Sequence, residues 1–209
     1  MDVIQLENIS KKYKETIALE NIDLKIESNR IYGLIGVNGA GKSTLVKIIT
    51  GNIFPTKGSI KLFNKSFSKE LIKSREHISA TIETPSFYSG LTAEENIRLA
   101  CIELGIEFGM KQRLAIISAL VHSPKLLILD EPFVGLDPKA TFLLKNLMHE
   151  FVIEGGAIFF STHVLEVAEK LCNKIAIIKN GRLVASGYTE KVKGNQSLES
   201  YFMEVQSYE

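Results

Sequence analysis

Apolar and polar positions alternate with two different periods along this chain. Val3 to Ile9 alternates loosely, as a half-buried strand does, and Ile17–Leu19 and Ile22–Ile26 continue the strand pattern. Between them Lys11-Lys12-Tyr13-Lys14 reads as a polar turn with one aromatic. Ile31–Ile35 is a short apolar run, Ser59–Phe63 follows a turn at Thr56-Lys57-Gly58, and Ile78–Ile82 is rich in β-branched residues. Leu126–Leu129 and Ala157–Phe160 are continuously apolar, as strands covered on both faces are. The helical period appears elsewhere. Thr92-Ala93-Glu94-Glu95 is a capping box opening a helix through Ile97, Cys101 and Leu104 to Gly105. A second helix starts near Gly109 and stops before Pro124, and a third runs from Pro138, proline in its first turn, to Glu150. Val164 to Leu171 shows one apolar face. Ile175–Ile178 and Arg182–Ala185 flank Asn180-Gly181, the signal of a hairpin with a type I′ turn. Antiparallel strands first, then strands alternating with helices, predict an α/β domain with a mainly parallel core sheet and an antiparallel flank.

The chemistry centres on Gly36-Val37-Asn38-Gly39-Ala40-Gly41-Lys42-Ser43-Thr44, which fits G-x-x-x-x-G-K-[ST]. Its glycines let the backbone curl so that successive N–H groups face inward and cradle phosphate oxygens. Lys42 supplies a point charge near the β- and γ-phosphates, and the Ser43 hydroxyl is a ligand for Mg²⁺. From Thr44 a helix runs to Gly51, so its positive end lies under the phosphates. The strand at Ile31–Ile35 completes the order strand, loop, helix that the motif requires.

Composition narrows the class. The chain has 209 residues, 45% of them hydrophobic, and a net charge of +1, so a sizeable core forms and a strongly basic nucleic-acid surface is not expected. Cys101 and Cys172 lie far apart in helical segments, which suits reduced, buried thiols in the cytoplasm. The first residues carry no signal-peptide pattern, and no apolar run approaches the ~18 residues of a membrane helix. A membrane role therefore runs through a partner.

A second constellation follows the Leu126–Leu129 strand. Asp130 at the strand end comes near Mg²⁺, and Glu131 is placed to polarise an attacking water as general base. With these residues in view, the chain resembles the ATP-binding subunit of an ABC transporter from about Val3 to Gly187. The loop at 36–43 resembles Walker A and Leu126–Asp130 resembles Walker B. Phe108-Gly109-Met110-Lys111-Gln112 is similar to the signature motif in its G-M-K-Q form, Gly135-Leu136-Asp137-Pro138 to the D-loop, and Ser161-Thr162-His163 to the switch-histidine loop. The resemblance implies a P-loop NTPase spanning residues 1–209, with a helical subdomain at about 84–122. It implies that Tyr13 stacks on adenine, that Gly109 binds γ-phosphate across a head-to-tail dimer, that His163 contacts the γ-phosphate or the water, and that Asp137 couples the two sites. It implies ATP and Mg²⁺ as ligands, a second copy and a transmembrane permease as partners, no nucleic acid, and a place on the inner face of the cell membrane through the permease.

Two departures refine the resemblance. Glu83 stands where the family usually has Gln, a variant similar to bacitracin- and lantibiotic-type exporters, and it is a further candidate Mg²⁺ ligand. The chain between the Thr92 helix and Gly109 is short, truncated near Ile106, and Glu107 replaces the signature serine. The uncovered apolar face of the Thr92 helix predicts that a segment of two or three helices is missing from this stretch. The expected function is powering export of a drug or peptide antibiotic. The alternative is a soluble ABC ATPase of translation or DNA repair, against which stand a single P-loop and no heptad run. A small-molecule kinase leaves the G-M-K-Q and D-loop motifs without a place.

Overall fold

A computed structural model describes residues 1–66, 68–81, 92 and 123–207. Strands β1 (Asp2–Tyr13) and β2 (Thr16–Glu27) form an antiparallel hairpin that turns at Lys14 (φ 49°) and Glu15. Lys11 to Tyr13, expected in the turn, belong to β1: Lys11 pairs with Leu19, Lys12 with Ile17 and Tyr13 with Thr16. Their polarity marks a solvent-facing hairpin end, and the ladder keeps the backbone extended. The two strands expected at 17–19 and 22–26 are one, interrupted at Asn21 (φ 50°), where the register slips and the Asn21 N–H donates to Ser10 Oγ at 3.0 Å.

Next come β3 (Ile31–Ile35), α1 (Lys42–Thr50), β4 (Lys57–Leu62), α2 (Ser68–Arg75), β5 (Ile78–Thr81) and β6 (Leu126–Asp130). Helix α1 ends as its sequence dictates, with Gly51 at φ 85° in a left-handed cap. β4 takes in Lys57 and Gly58, expected as turn, and closes on a turn at Phe63 and Asn64 (φ 49° and 63°). Helix α2 escaped the sequence pattern because Ser-Lys-Glu-Leu-Ile-Lys-Ser-Arg has no apolar stripe. The chain continues through α3 (Pro138–Ile153), β7 (Ala157–Thr162), α4 (Leu165–Leu171), β8 (Lys174–Lys179), β9 (Arg182–Tyr188), α5 (Thr189–Lys193) and α6 (Leu198–Ser207). The β8–β9 turn has Asn180 at φ 47° and Gly181 at φ 76°, the two left-handed residues a type I′ turn needs. Glu83, Cys101, the helices expected from Thr92 and Gly109, the Phe108–Gln112 motif and the helical subdomain at 84–122 lie outside the described residues, apart from exposed Thr92 itself.

Two sheets result. One is antiparallel, in the order β2-β1-β4. The other runs β5-β6-β7-β3-β8-β9, parallel except for β9 at its edge. Alternate residues of each parallel strand sort into two apolar layers. Tyr32, Leu34, Leu126, Ile128, Phe159, Ala176 and Ile178 pack with α1 and the antiparallel sheet. Ile31, Ile35, Leu127, Leu129, Ile158, Phe160, Ile175 and Ile177 pack with α3, α4 and α6. A strand buried on both faces has no room for a polar stripe, which is why β6 and β7 read as continuous apolar runs.

Candidate active site

The register sets the geometry of the site. Asp130 is paired with Ser161, Leu34 with Ser161, and Ile35 with Thr162. The segments leaving β3, β6 and β7 therefore emerge at one level, at the carboxyl edge where open α/β sheets bind their ligands. They carry the 36–44 loop, Asp130 with Glu131, and His163.

The loop is curled as its glycines predict, with Gly39 at φ 81° and Gly41 at φ 110°. A Cβ on Gly36 would lie 2.6 Å from Ile178 O, and one on Gly41 2.7 Å from Ala18 O, so neither position accepts a side chain. The loop is braced from behind by the β8–β9 turn: Gly181 N–H donates to Ala40 O at 3.0 Å, and Glu20 N–H donates to Gly181 O at 2.8 Å. Ala18 and Leu19 of β2 pack on Gly41, so the hairpin ending at Tyr13 is seated against the loop. Val37 and Asn38 stand exposed at the loop crest, whereas Ala40 is buried.

Lys42 is only 6% exposed, and its ammonium turns into the loop. It donates to Gly36 O at 2.8 Å and to Val37 O at 3.3 Å, and it lies 3.3 Å from Glu131 Oε1. Oε1 is buried without an aligned hydrogen bond, so this contact is an ion pair by proximity. The other oxygen, Oε2, accepts from the His163 backbone N–H at 3.3 Å and meets His163 Nδ1 at 3.0 Å. Glu131 has φ 49°, which costs a non-glycine residue about 1–3 kcal/mol. Ser161 holds it there: Glu131 N–H donates to Ser161 O at 3.2 Å and to Ser161 Oγ at 3.0 Å. The same hydroxyl donates to Asp130 Oδ1, and Asp130 is buried.

Of the residues expected at the site, the structure joins Lys42, Glu131 and His163 directly and places Asp130 and the loop beside them. Ser43 and Thr44 follow Lys42 in the first turn of α1. Asp137 N-caps α3, its carboxylate accepting from Ala140 N–H at 2.6 Å. Ser161 and Gly181 were not singled out by sequence. Ser161 preceded the histidine in a visible motif, but a serine ending a buried strand carries no charge signal, and Gly181 read only as a hairpin turn.

A carboxylate facing an ammonium across a phosphate cradle, beside a second strand-end carboxylate, is equipped to hold a polyphosphate and activate water against it. Comparison with known proteins agrees. The family model described as ABC transporter matches residues 19–108, and one described as an AAA domain, putative AbiEii toxin, Type IV TA system, matches residues 108–169. The bacitracin transport ATP-binding protein BcrA of Enterococcus faecalis is 36% identical over 87% of this chain and 68% of its own. The lantibiotic transport ATP-binding protein SrtF of Streptococcus pyogenes is 33% identical over 96% of both chains. A solved ATP binding subunit of an ABC transporter superposes with TM-score 0.86 at 29% identity, over 98% of this chain and 100% of that one. A dimeric ATP-binding cassette in a post-hydrolysis state, bound to ADP and Pi, superposes with TM-score 0.75 at 25% identity, over 89% of this chain and 98% of that one. Identity at this level, over nearly the whole of both chains, makes this protein a member of the ABC transporter ATP-binding family and an ATPase.

Proposed function

We propose that the chain is the motor subunit of an exporter, hydrolysing ATP between two copies of itself and passing the motion to a membrane permease. The observation that carries the hydrolysis is the convergence of Lys42, Glu131 and His163 at the mouth of the phosphate cradle. Lys42 releases the loop carbonyls to meet β- and γ-phosphate oxygens. Glu131 then loses its cationic neighbour and is free to take a proton from water, while His163 keeps the carboxylate aimed. Tyr13 stacks on the base, and residues 36–44 supply the inward N–H groups.

Ser43 at the start of α1 and Asp130 at the end of β6 offer hard oxygens of the kind Mg²⁺ prefers, and that ion neutralises phosphate charge when bound. Glu83 is a third candidate ligand. Gly109 reaches the γ-phosphate of the opposing copy, and Asp137 communicates across the dimer from its place at the head of α3. The dimeric post-hydrolysis relative supports the second copy. The names of BcrA and SrtF support bacitracin-like or lantibiotic peptides as cargo. Among the described residues no helix is long and apolar enough to cross a membrane.

The test is association. In Mg-ATP, Glu131→Gln protein is expected to run as a dimer by light scattering, and Lys42→Ala as a monomer. Absence of any nucleotide-dependent dimer would remove the motor reading.

A further inference from the structure

Lys11 and Tyr13 stand two apart on β1, so their side chains leave the strand on the same face. The Lys11 ammonium lies over the Tyr13 ring, 5.0 Å from its centroid. It is fixed there by a donor bond to Phe54 O at 2.7 Å. Two further bonds bind the same strand end to the same segment: Lys12 N–H to Thr56 Oγ1 at 3.0 Å, and Thr56 N–H to Ser10 O at 2.8 Å. That segment directly follows α1, the helix that begins at Lys42. The aromatic at the hairpin end is thus tied to the far end of the phosphate-loop helix, and Lys11 is the side chain that makes both contacts.

Tyr13 is 45% exposed, so the ring keeps open area beside the face that the ammonium occupies. A cation on one face draws π density toward itself. The opposite face then repels a stacked π system less, and stacking on that face is strengthened. Stacking of this kind does not discriminate bases by hydrogen bonding, since every base has a π face.

We propose that Lys11 is a positioning residue for the nucleotide base: it holds the Tyr13 ring and polarises it for stacking on its free face. The proposal rests on Tyr13 being the base-stacking residue. Its ligand is the aromatic base of a nucleoside triphosphate, and it leaves the phosphates untouched.

The experiment compares ATP with inorganic tripolyphosphate, which has the phosphate chain and no base. Dissociation constants are measured by calorimetry for the full chain and for Lys11→Met, Lys11→Arg and Tyr13→Ala. Lys11→Met is expected to weaken ATP about threefold to fivefold, a partial loss of what a stacked aromatic pair contributes, and to leave tripolyphosphate unchanged. Lys11→Arg, which keeps the cation, restores ATP affinity, and Tyr13→Ala removes the sensitivity to Lys11. Equal weakening of both ligands by Lys11→Met would overturn the proposal, because the lysine would then act as a long-range charge on phosphate. Unchanged or tighter ATP binding in Lys11→Met overturns it as well. If Tyr13→Ala leaves ATP affinity unchanged, the base-stacking reading fails first and Lys11 falls with it.

Discussion

At the scale of single residues, the site is a set of charges held in a resting arrangement by small neighbours. Lys42 is bonded to the loop's own carbonyls, and in the proposed mechanism its ammonium exchanges them for phosphate oxygens when nucleotide binds. Lys42→Ala is therefore expected to weaken ATP binding itself, readable as a raised dissociation constant in titration calorimetry. Ser161 acts on the chemistry at one remove, by holding the Glu131 backbone in its left-handed conformation and bonding Asp130. Ser161→Ala is expected to lower kcat by about 10-fold to 100-fold, the usual cost of losing an orienting partner, with ATP affinity nearly unchanged. A kcat equal to wild type would show that Glu131 keeps its geometry unaided. Glu83→Gln is expected to shift the metal dependence of hydrolysis without abolishing ATP binding, because a carboxylate is a better hard-oxygen ligand than an amide. Lys42, Asp130, Glu131 and His163 were legible in the sequence because each has a fixed offset from an apolar run. Ser161 was not, since its role comes from the pairing of β6 with β7, which brings residues 30 apart into contact.

At the scale of elements, turns and helix ends decide how firmly the site is backed. Gly181 combines φ 76° with a Cβ position 2.7 Å from Ala18 O. Gly181→Ala is expected to destabilise the fold by about 1–3 kcal/mol and lower the melting temperature, as left-handed strain and overpacking both do. One carboxylate ties both carboxyl-terminal helices to α4. Glu169 of α4 accepts from Lys193 Nζ of α5 at 2.9 Å and from Leu198 N–H at the start of α6 at 3.1 Å. The Lys193 hydrogen bond, helped by the Leu198 N–H, holds the Glu169 carboxyl below the usual carboxylate range. A depressed carboxyl stabilises the fold above the unfolded-state pKa and loses that contribution as pH falls through the folded value. Thermal melts are expected to show stability falling below about pH 4.3, with a smaller fall in Glu169→Gln. The strands were legible because two-sided burial leaves a run of Leu, Ile and Phe. Helices α2 and α5 were not, since a short or mostly polar helix shows little of its period until it has packed, whereas α6 did carry Leu198, Tyr201, Phe202 and Val205 at helical spacing and was passed over.

At the scale of the whole molecule, two apolar layers clamp the parallel sheet and leave one edge for chemistry. Cys172 shows how closely the layers fit: its thiol is buried, and its pKa is driven far up by that burial. It is expected to resist alkylation in the native protein and to react on unfolding, which mass spectrometry after iodoacetamide reads directly. The length of the chain carries a second expectation. The comparison with SrtF runs over 225 aligned positions but engages 96% of 209 residues, or about 201, so roughly two dozen positions of the relative have no counterpart here. The two matching family models meet at residue 108, beside the short stretch near Ile106. A mass above the 23.3 kDa of these 209 residues is expected for the purified native protein if a helical segment is missing there; a mass equal to it marks a true deletion. The central proposal is chemical: that Glu131 is the base with which this ATPase activates water. Steady-state release of phosphate by wild type and Glu131→Gln, with ATP binding measured in parallel, tests it most directly. Turnover is expected to fall about 10²–10⁴-fold with ATP still bound. Turnover in Glu131→Gln equal to wild type would contradict it.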